Sequence, residues 1–127
     1  MANAFYPKSK ERAVKGGLAF DTGNIKIALL TSAYTFSSSH EFVSSLTGIV
    51  ARSGNLSSKT VAAGVLDAAD VLFTALTGSV VNSVVGYRDT GTDSTSELIW
   101  YIDSFPDFTP DGSDVTFQWN ASGIGEI

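Results

Sequence analysis

The segment Ser79-Val80-Val81-Asn82-Ser83-Val84-Val85-Gly86-Tyr87 gives the strongest strand signal in the chain, because valines dominate it. It is followed by Glu97-Leu98-Ile99-Trp100-Tyr101-Ile102-Asp103, after a loop from Asp89 to Ser96 in which every residue is polar or glycine. Two apolar runs joined by a polar loop predict a pair of antiparallel strands. We therefore expect these two segments to pair with each other.

Shorter strand signals lie on both sides of this pair, and turns separate them at intervals of about 8–12 residues. Few residues between them favour helix, so parallel crossover connections are not expected. The pattern predicts an all-β domain, an antiparallel β-sandwich or a barrel-like structure. The further strands are expected at 25–31, 49–52, 59–61, 70–76, 115–119 and 124–127.

Two short helices are expected beside the strands. Pro7 suits the first position of a helix over 7–15, and Gly16-Gly17 ends it. Ser38 and Glu41 match a capping box, which predicts a second helix over roughly 39–46. We assign residues 1–17 to an N-terminal arm with a short helix, and residues 18–127 to a single β domain.

Composition excludes several kinds of site. The 127 residues include no cysteine, so disulfides, thiolate metal sites and cysteine nucleophiles are ruled out. His40 is the single histidine, which excludes multi-histidine metal sites. There is no apolar run long enough to span a membrane and no secretory signal pattern, so we expect assembly in a cytoplasm and no membrane partner.

Charge is distributed unevenly along the chain. Residues 1–60 carry seven basic and three acidic residues, a net charge of +4, whereas residues 61–127 carry one basic and ten acidic residues, a net charge of −9. Four basic residues lie within positions 8–15, which indicates contact with an acidic surface. A solvated helix explains the same charges equally well. The basic residues are too few for a phosphate-binding track, so no nucleic-acid partner is expected.

Aromatic residues outside the predicted strands are candidates for interface anchors. Phe5 and Tyr6 precede every predicted element, and they either fold back on their own domain or insert into a neighbouring molecule. Phe105 and Phe108 lie in a loop and form a second candidate patch. The predicted interface residues are Phe5, Tyr6, Lys8, Lys10, Arg12, Lys15, Phe105 and Phe108.

Two patterns suggest chemistry, and each has a simpler explanation. The triplet Asp-Thr-Gly occurs at 21–23 and at 89–91, as in aspartic proteases, but these residues are also ordinary turn formers. The spacing of four aspartates near the C-terminus suggests a calcium site; they are Asp103, Asp107, Asp111 and Asp114. Aspartates are also common turn residues, which explains them more simply. No catalytic, cofactor-binding or metal-binding residue is predicted, and we expect no enzyme activity.

Nine segments spread over nearly the whole chain resemble segments of small proteins encoded in the structural gene clusters of tailed bacteriophages. They are MANAFYPK (1–8), IKIAL (25–29), AYTF (33–36), HEF (40–42), SKTV (58–61), GVLDAADV (64–71), YRDTG (87–91), YID (101–103) and TPDGSDVT (109–116). The resemblance carries no catalytic motif.

The resemblance implies a component of the virion. The first expectation is a capsid decoration, or cement, protein that lies on the capsid surface. It binds the outside of the head and bridges subunits of the major capsid protein, and it contacts copies of itself, as a homotrimer. The alternatives are a tail, neck or fibre-associated protein of the same virion and, more remotely, a hydrolase similar to aspartic proteases.

Overall fold

The protein is built mainly of antiparallel β-strands, as the sequence predicts. The structure is a computed structural model, and it describes residues 4–17, 20, 22–63, 65–103, 105–119 and 124–126. Its helical elements are α1 (Pro7–Lys15) and one 3₁₀ turn (Val43–Ser45). The strands are β1 (Ala4–Phe5), β2 (Ile25–Leu30), β3 (Ile49–Arg52), β4 (Thr60–Ala62), β5 (Val65–Asp67), β6 (Val71–Phe73), β7 (Ser83–Arg88), β8 (Glu97–Ile102), β9 (Val115–Phe117) and β10 (Gly125–Glu126).

The largest sheet contains five strands in the order β1-β8-β7-β2-β3. The expected pair of strands is confirmed, because β7 and β8 are antiparallel neighbours in which Gly86 lies opposite Trp100. On its other side β7 pairs with β2 over six residues, from Ile25 opposite Arg88 to Leu30 opposite Ser83. Two long antiparallel pairings therefore form the centre of the sheet.

Apolar residues cover both faces of this sheet, because successive side chains of a strand point to opposite sides. Ile25, Ile27 and Leu29 belong to a first core cluster, and Ala28 and Leu30 belong to a second. The second cluster is completed by residues of the segment from 31 to 48 that follows β2. Those residues are Tyr34, Phe36, Val43 and Leu46.

Two small sheets cover the first face. One contains β10, β5 and β4, and the other is a two-stranded ribbon of β6 and β9. They place Leu66, Val71 and Phe73 in the first core cluster. The arrangement is sandwich-like. The described strands do not close into a barrel, because the five-stranded sheet ends at β1 on one side and at β3 on the other.

The N-terminal segment is part of this structure. Ala4 lies opposite Tyr101 and Phe5 opposite Trp100, so β1 extends the sheet beyond β8. Helix α1 follows directly and packs against β8. None of the described helices has the length and apolar character that a membrane span requires.

The helix expected over 39–46 is wrong, since only the single 3₁₀ turn at Val43–Ser45 forms there. The backbone of this segment pairs with the start of β8 instead. The N–H of Leu98 donates to the carbonyl of Glu41, and the N–H of Val43 donates to the carbonyl of Ser96. Pairing with the open edge of β8 therefore determines the conformation of the segment around Glu41 and Val43, and the capping pattern of Ser38 and Glu41 does not.

Candidate functional site

Helix α1 carries four of the predicted interface residues, and the sequence explains why it forms. Pro7 occupies the first turn, where its missing N–H leaves no intrahelical bond unmade. Lysine, glutamate, arginine and alanine, which follow, all favour helix. Gly16 ends the helix with a left-handed φ of 85°, and its N–H donates to the carbonyl of Ala13. The expected helix over 7–15 is confirmed.

A buried serine fixes α1 to the sheet. Ser9 is only 1% exposed, and its Oγ lies 2.7 Å from the carbonyl oxygen of Tyr6 and 2.9 Å from that of Ile99. The single hydroxyl proton is shared between these two acceptors. One side of the helix is thereby held against β8, and the opposite side faces solvent.

Tyr6 is fully buried in the second core cluster, so its side chain is not exposed for contact with another molecule. Its Oη lies 2.6 Å from the Oη of Tyr34, which in turn lies 2.8 Å from Nδ1 of His40. Burial raises the pKa of Tyr6 well above its ordinary value. Phe5 is half-buried and packs against the first core cluster. Both aromatic residues fold back on their own domain.

Arg12 is used within the molecule as well. Its guanidinium forms ion pairs with Glu41 and with Glu97, and it lies 5.6 Å from the ring centre of Phe42. A second arginine, Arg88, lies 3.5 Å from the same Glu97. Arg12 therefore links α1 to the segment that pairs with the start of β8, and its contact with a partner stays a prediction.

The loop with Phe105 and Phe108 is not an exposed patch. Both rings are half-buried and pack against the first core cluster, and Phe105 meets Phe117 edge to face at 5.5 Å. The N–H of Val81 donates to the carbonyl of Phe108 at 2.8 Å. Both rings therefore contribute to the packing of the first core cluster, whereas Pro106 and Asp107 between them are exposed.

Three lysines of α1 remain exposed: Lys8, Lys10 and Lys15. Lys8 lies 3.6 Å from Glu11 on the next turn, whereas Lys10 and Lys15 form no ion pair within the described residues. Val14 is 89% exposed. At about 100° per residue, Val14 lies on the solvent side of the helix between Lys10 and exposed Glu11, and Lys15 lies beyond Glu11.

We call this surface, formed by Lys10, Glu11, Val14 and Lys15, the α1 face. The sequence reasoning found the lysines but not Val14. The signal was that Val14 is the one large apolar residue among the polar residues of the helix.

Sequence reasoning missed a second surface, on the ribbon of β6 and β9. Val71 and Phe73 point into the core, so Leu72 between them points outward and is 58% exposed. Leu72 lies opposite Thr116 of β9, and exposed Asp70 and Asp114 lie near opposite ends of the same outer side. We call Asp70, Leu72 and Asp114 the ribbon face. The sequence signal for the ribbon face is the strand predicted over 70–76, in which every second side chain from residue 70 to residue 74 points outward.

The repeated Asp-Thr-Gly triplet does not give the geometry of a proton-sharing carboxyl pair in the described residues. Asp21 lies outside the described residues. The carboxylate of Asp89 is 3.0 Å from the ammonium group of Lys26 and accepts the N–H of Gly91. These bonds lower the pKa of Asp89 and hold it ionised, whereas a shared proton requires one carboxyl with a raised pKa.

Two of the four C-terminal aspartates, Asp111 and Asp114, accept backbone N–H groups of turn residues. Asp111 accepts the N–H of Ser113, which lowers the pKa of Asp111, and Asp114 accepts the N–H of Ala75. In the ranges that the structure describes, no three acidic or histidine side chains converge in a group able to hold a metal ion.

No protein-family model matches the chain, and no curated protein matches it.

Proposed function

We propose that the protein is a structural component of a tailed-bacteriophage virion: a capsid decoration protein that binds the outside of the head and bridges subunits of the major capsid protein. The proposal includes contact between copies of the chain, as a trimer. Its basis is the resemblance of nine segments to proteins encoded in phage structural gene clusters.

The observation that carries the proposal is that these segments, far apart in sequence, meet in one part of the fold. Tyr6, Tyr34, Phe36 and Tyr101 come from three of them, and all four lie in or against the second core cluster. The ring centre of Phe36 is 4.9 Å from that of Tyr6 and 5.3 Å from that of Tyr101. The resemblance therefore involves residues that depend on one another for packing, which favours a shared fold over chance matches of short words.

The physical requirements of a decoration protein agree with this fold. Such a protein binds through many contacts of modest size, each typically about 800 Å² per partner, which add up by avidity on a repeating surface. Bridging requires more than one contact surface. The described residues offer two surfaces of opposite charge, the α1 face and the ribbon face.

The test is co-sedimentation of the purified chain with heads that lack it, in expanded and in unexpanded form. The proposal expects saturable binding to expanded heads, at a ratio fixed by the capsid lattice, and weaker binding to unexpanded heads. Tails freed of heads serve as the control. Binding to tails with no binding to heads overturns the decoration role in favour of the tail, neck or fibre alternative, and binding to neither particle overturns both.

A further inference from the structure

Strand β4 lies at an edge of the three-stranded sheet, and no strand of the described residues pairs with its outer side. Its three residues, Thr60–Ala62, are all exposed. They include no charge, no proline and no bulge, which are features that usually keep an edge strand from pairing with another chain. Strand β4 is therefore open to a further strand.

The other free edges among the described strands each have a protecting feature. Strands β1 and β10 have two residues each, and Pro7 follows β1 closely. Strand β3 ends in charged Arg52, and the ribbon strands β6 and β9 are preceded by Asp70 and Asp114. Strand β4 is the edge that is least protected against pairing.

The backbone of Val61 faces this open side. Val61 lies opposite Leu66 of β5, and the carbonyl of Leu66 accepts the N–H of Ile124 on the other side of β5. Because the N–H and C=O of one strand residue point to the same side, Leu66 presents its backbone groups toward β10 and away from β4. In an antiparallel pair, the opposite residue then also points its groups away. The N–H and C=O of Val61 therefore point outward.

The side chain of Val61 shows that the covered face of the sheet continues to this edge. Val61 and Leu66 lie directly opposite each other, so their side chains share one face. Leu66 is 2% exposed and belongs to the first core cluster, whereas Val61 is 50% exposed. A further strand beside β4 would cover the exposed half of Val61 and satisfy its backbone at the same time.

We propose that this further strand is β4 of a second copy, paired antiparallel, with Val61 of one copy opposite Val61 of the other. The two valines exchange two backbone hydrogen bonds about a two-fold axis. The two small sheets become one sheet of six strands, in the order β10-β5-β4-β4-β5-β10.

The charges near β4 permit this self-pairing. Between positions 58 and 68 the charged residues are Lys59 and Asp67. Lys59 donates to the carbonyl of Gly23 of its own chain, and pairing about Val61 places it opposite Ala63 of the other copy. The two lysines are then about 14 Å apart, and both β4 strands lie between the two copies of Asp67. No charge faces a like charge, so the uncharged strand is complementary to itself.

The contact is small. A three-residue strand covers much less than the roughly 800 Å² per partner of a typical interface, so the association is weak. Its axis is two-fold, whereas the proposed trimer requires a three-fold contact. The inference therefore goes beyond the proposed function, because it joins chains of different trimers, and it is tested without heads.

The chain has no cysteine, so disulfide formation tests the contact position by position. Val61→Cys places one thiol beside the axis, where the two Cα atoms are about 5.5 Å apart and within reach of a disulfide. Thr60→Cys is the matched control, because its two Cα atoms are about 8 Å apart and beyond that reach. Under mild oxidation at about 1 mM protein, Val61→Cys is expected to form covalent dimers at least about tenfold faster than Thr60→Cys.

Amide hydrogen exchange measures the contact in the unsubstituted chain. The N–H of Val61 is free in a single copy and bonded in the pair. Its exchange rate is therefore expected to fall at least about fivefold when protein is raised from about 20 μM to about 1 mM. The N–H of Thr60 points toward β5, so its exchange rate is expected to stay the same at both concentrations.

Val61→Pro removes the N–H on which the contact depends. The bonds of β4 to β5 remain, because proline is tolerated at an edge position whose N–H faces outward. This variant is expected to sediment as a single copy at about 1 mM. Val61→Thr is the control, because it keeps the N–H and the branched side chain, and it is expected to retain the association. Urea denaturation of both variants verifies that they are folded.

The inference is overturned if Val61→Cys links no faster than Thr60→Cys, or if the exchange of Val61 does not depend on protein concentration. If the N–H of Val61 is protected only after expanded heads are added, a strand of the capsid occupies the edge. In that case this inference fails and the proposed function stands. Self-pairing of a chain that binds neither heads nor tails gives the reverse.

Discussion

Gly86 in β7 allows the fold to be tested by a single methyl group. It lies opposite Trp100 of β8, and a Cβ at this position would be 2.6 Å from Cδ2 of the indole and closer still to two other ring atoms. Trp100 is 2% exposed and meets Phe20 and Trp119 edge to face at 5.9 and 5.8 Å. The indole is therefore packed against two further aromatic rings, which oppose its displacement.

Gly86→Ala is expected to destabilise the protein by about 2–3 kcal/mol, near the upper end of the usual cost of overpacking a core. Alanine also restricts the unfolded chain, which offsets this cost by about 0.5 kcal/mol. The free energy of unfolding is measured by urea denaturation. Gly54→Ala is the matched control, because a Cβ there meets nothing within 4 Å, and its unfolding free energy is expected to change by less than about 0.5 kcal/mol.

The reasoning is refuted if the two alanine variants are equally stable. A double-mutant cycle identifies the atoms responsible. In a Trp100→Leu background the ring is absent, so Gly86→Ala is expected to cost at least about 1 kcal/mol less than in the wild type. An unchanged cost would show that the clash is not with the indole.

Three further predictions concern the buried tyrosine and the ion pairs. Tyr6→Ala is expected to cost about 3–5 kcal/mol in urea denaturation, because it empties a fully buried site, whereas an interface residue would leave stability unchanged. Arg12→Ala is expected to cost about 1–2 kcal/mol, because Glu41 loses its partner and Glu97 keeps only Arg88, while Lys15→Ala changes stability by less than about 0.5 kcal/mol; equal thermal shifts for the two variants would contradict this. The hydrogen bond from Lys26 lowers the pKa of Asp89 below its ordinary 3.8. The contribution of Asp89 to stability is therefore complete near pH 7 and is lost as the pH falls through its folded-state pKa. Asp89→Asn is expected to reduce the difference in unfolding free energy between pH 7 and acid pH, and an unchanged difference would refute the assignment.

Periodicity and turn chemistry were sufficient to predict much of the sheet. The strands expected at 25–31, 49–52 and 97–103 form at Ile25–Leu30, Ile49–Arg52 and Glu97–Ile102. The alternation of Val115, Thr116 and Phe117 also predicts which side chains point inward. These signals are local, because a strand with one buried face must alternate whatever its partner is.

Elements determined by a distant partner could not be predicted in this way. Strand β1 has two residues and forms because β8 offers an open edge to Ala4 and Phe5. The segment around Glu41 does not form the expected helix, because its backbone forms hydrogen bonds with the other half of the same edge of β8. A capping pattern contributes about 1 kcal/mol locally, which is less than several backbone bonds and a buried apolar face together.

The candidate site shows the same limit. Eight residues were expected at an interface, and three of them, the lysines of α1, are exposed, but the sequence does not tell which aromatic and basic side chains contact other residues of the same chain. Arg12 meets Glu41 and Glu97, which lie far away in sequence, and Tyr6 meets Tyr34. Such pairings follow from the topology of the sheet, which a single sequence does not specify.

The central claim is that this protein belongs to a phage particle as a structural part of its head. The most direct measurement is quantitative mass spectrometry of purified particles of the phage that encodes it, separated into heads and tails. The account predicts that the chain is found with expanded heads, in a fixed ratio to the major capsid protein, and is removed from tails by washing. Its absence from purified particles, with the chain found only free in the lysate, would contradict the account.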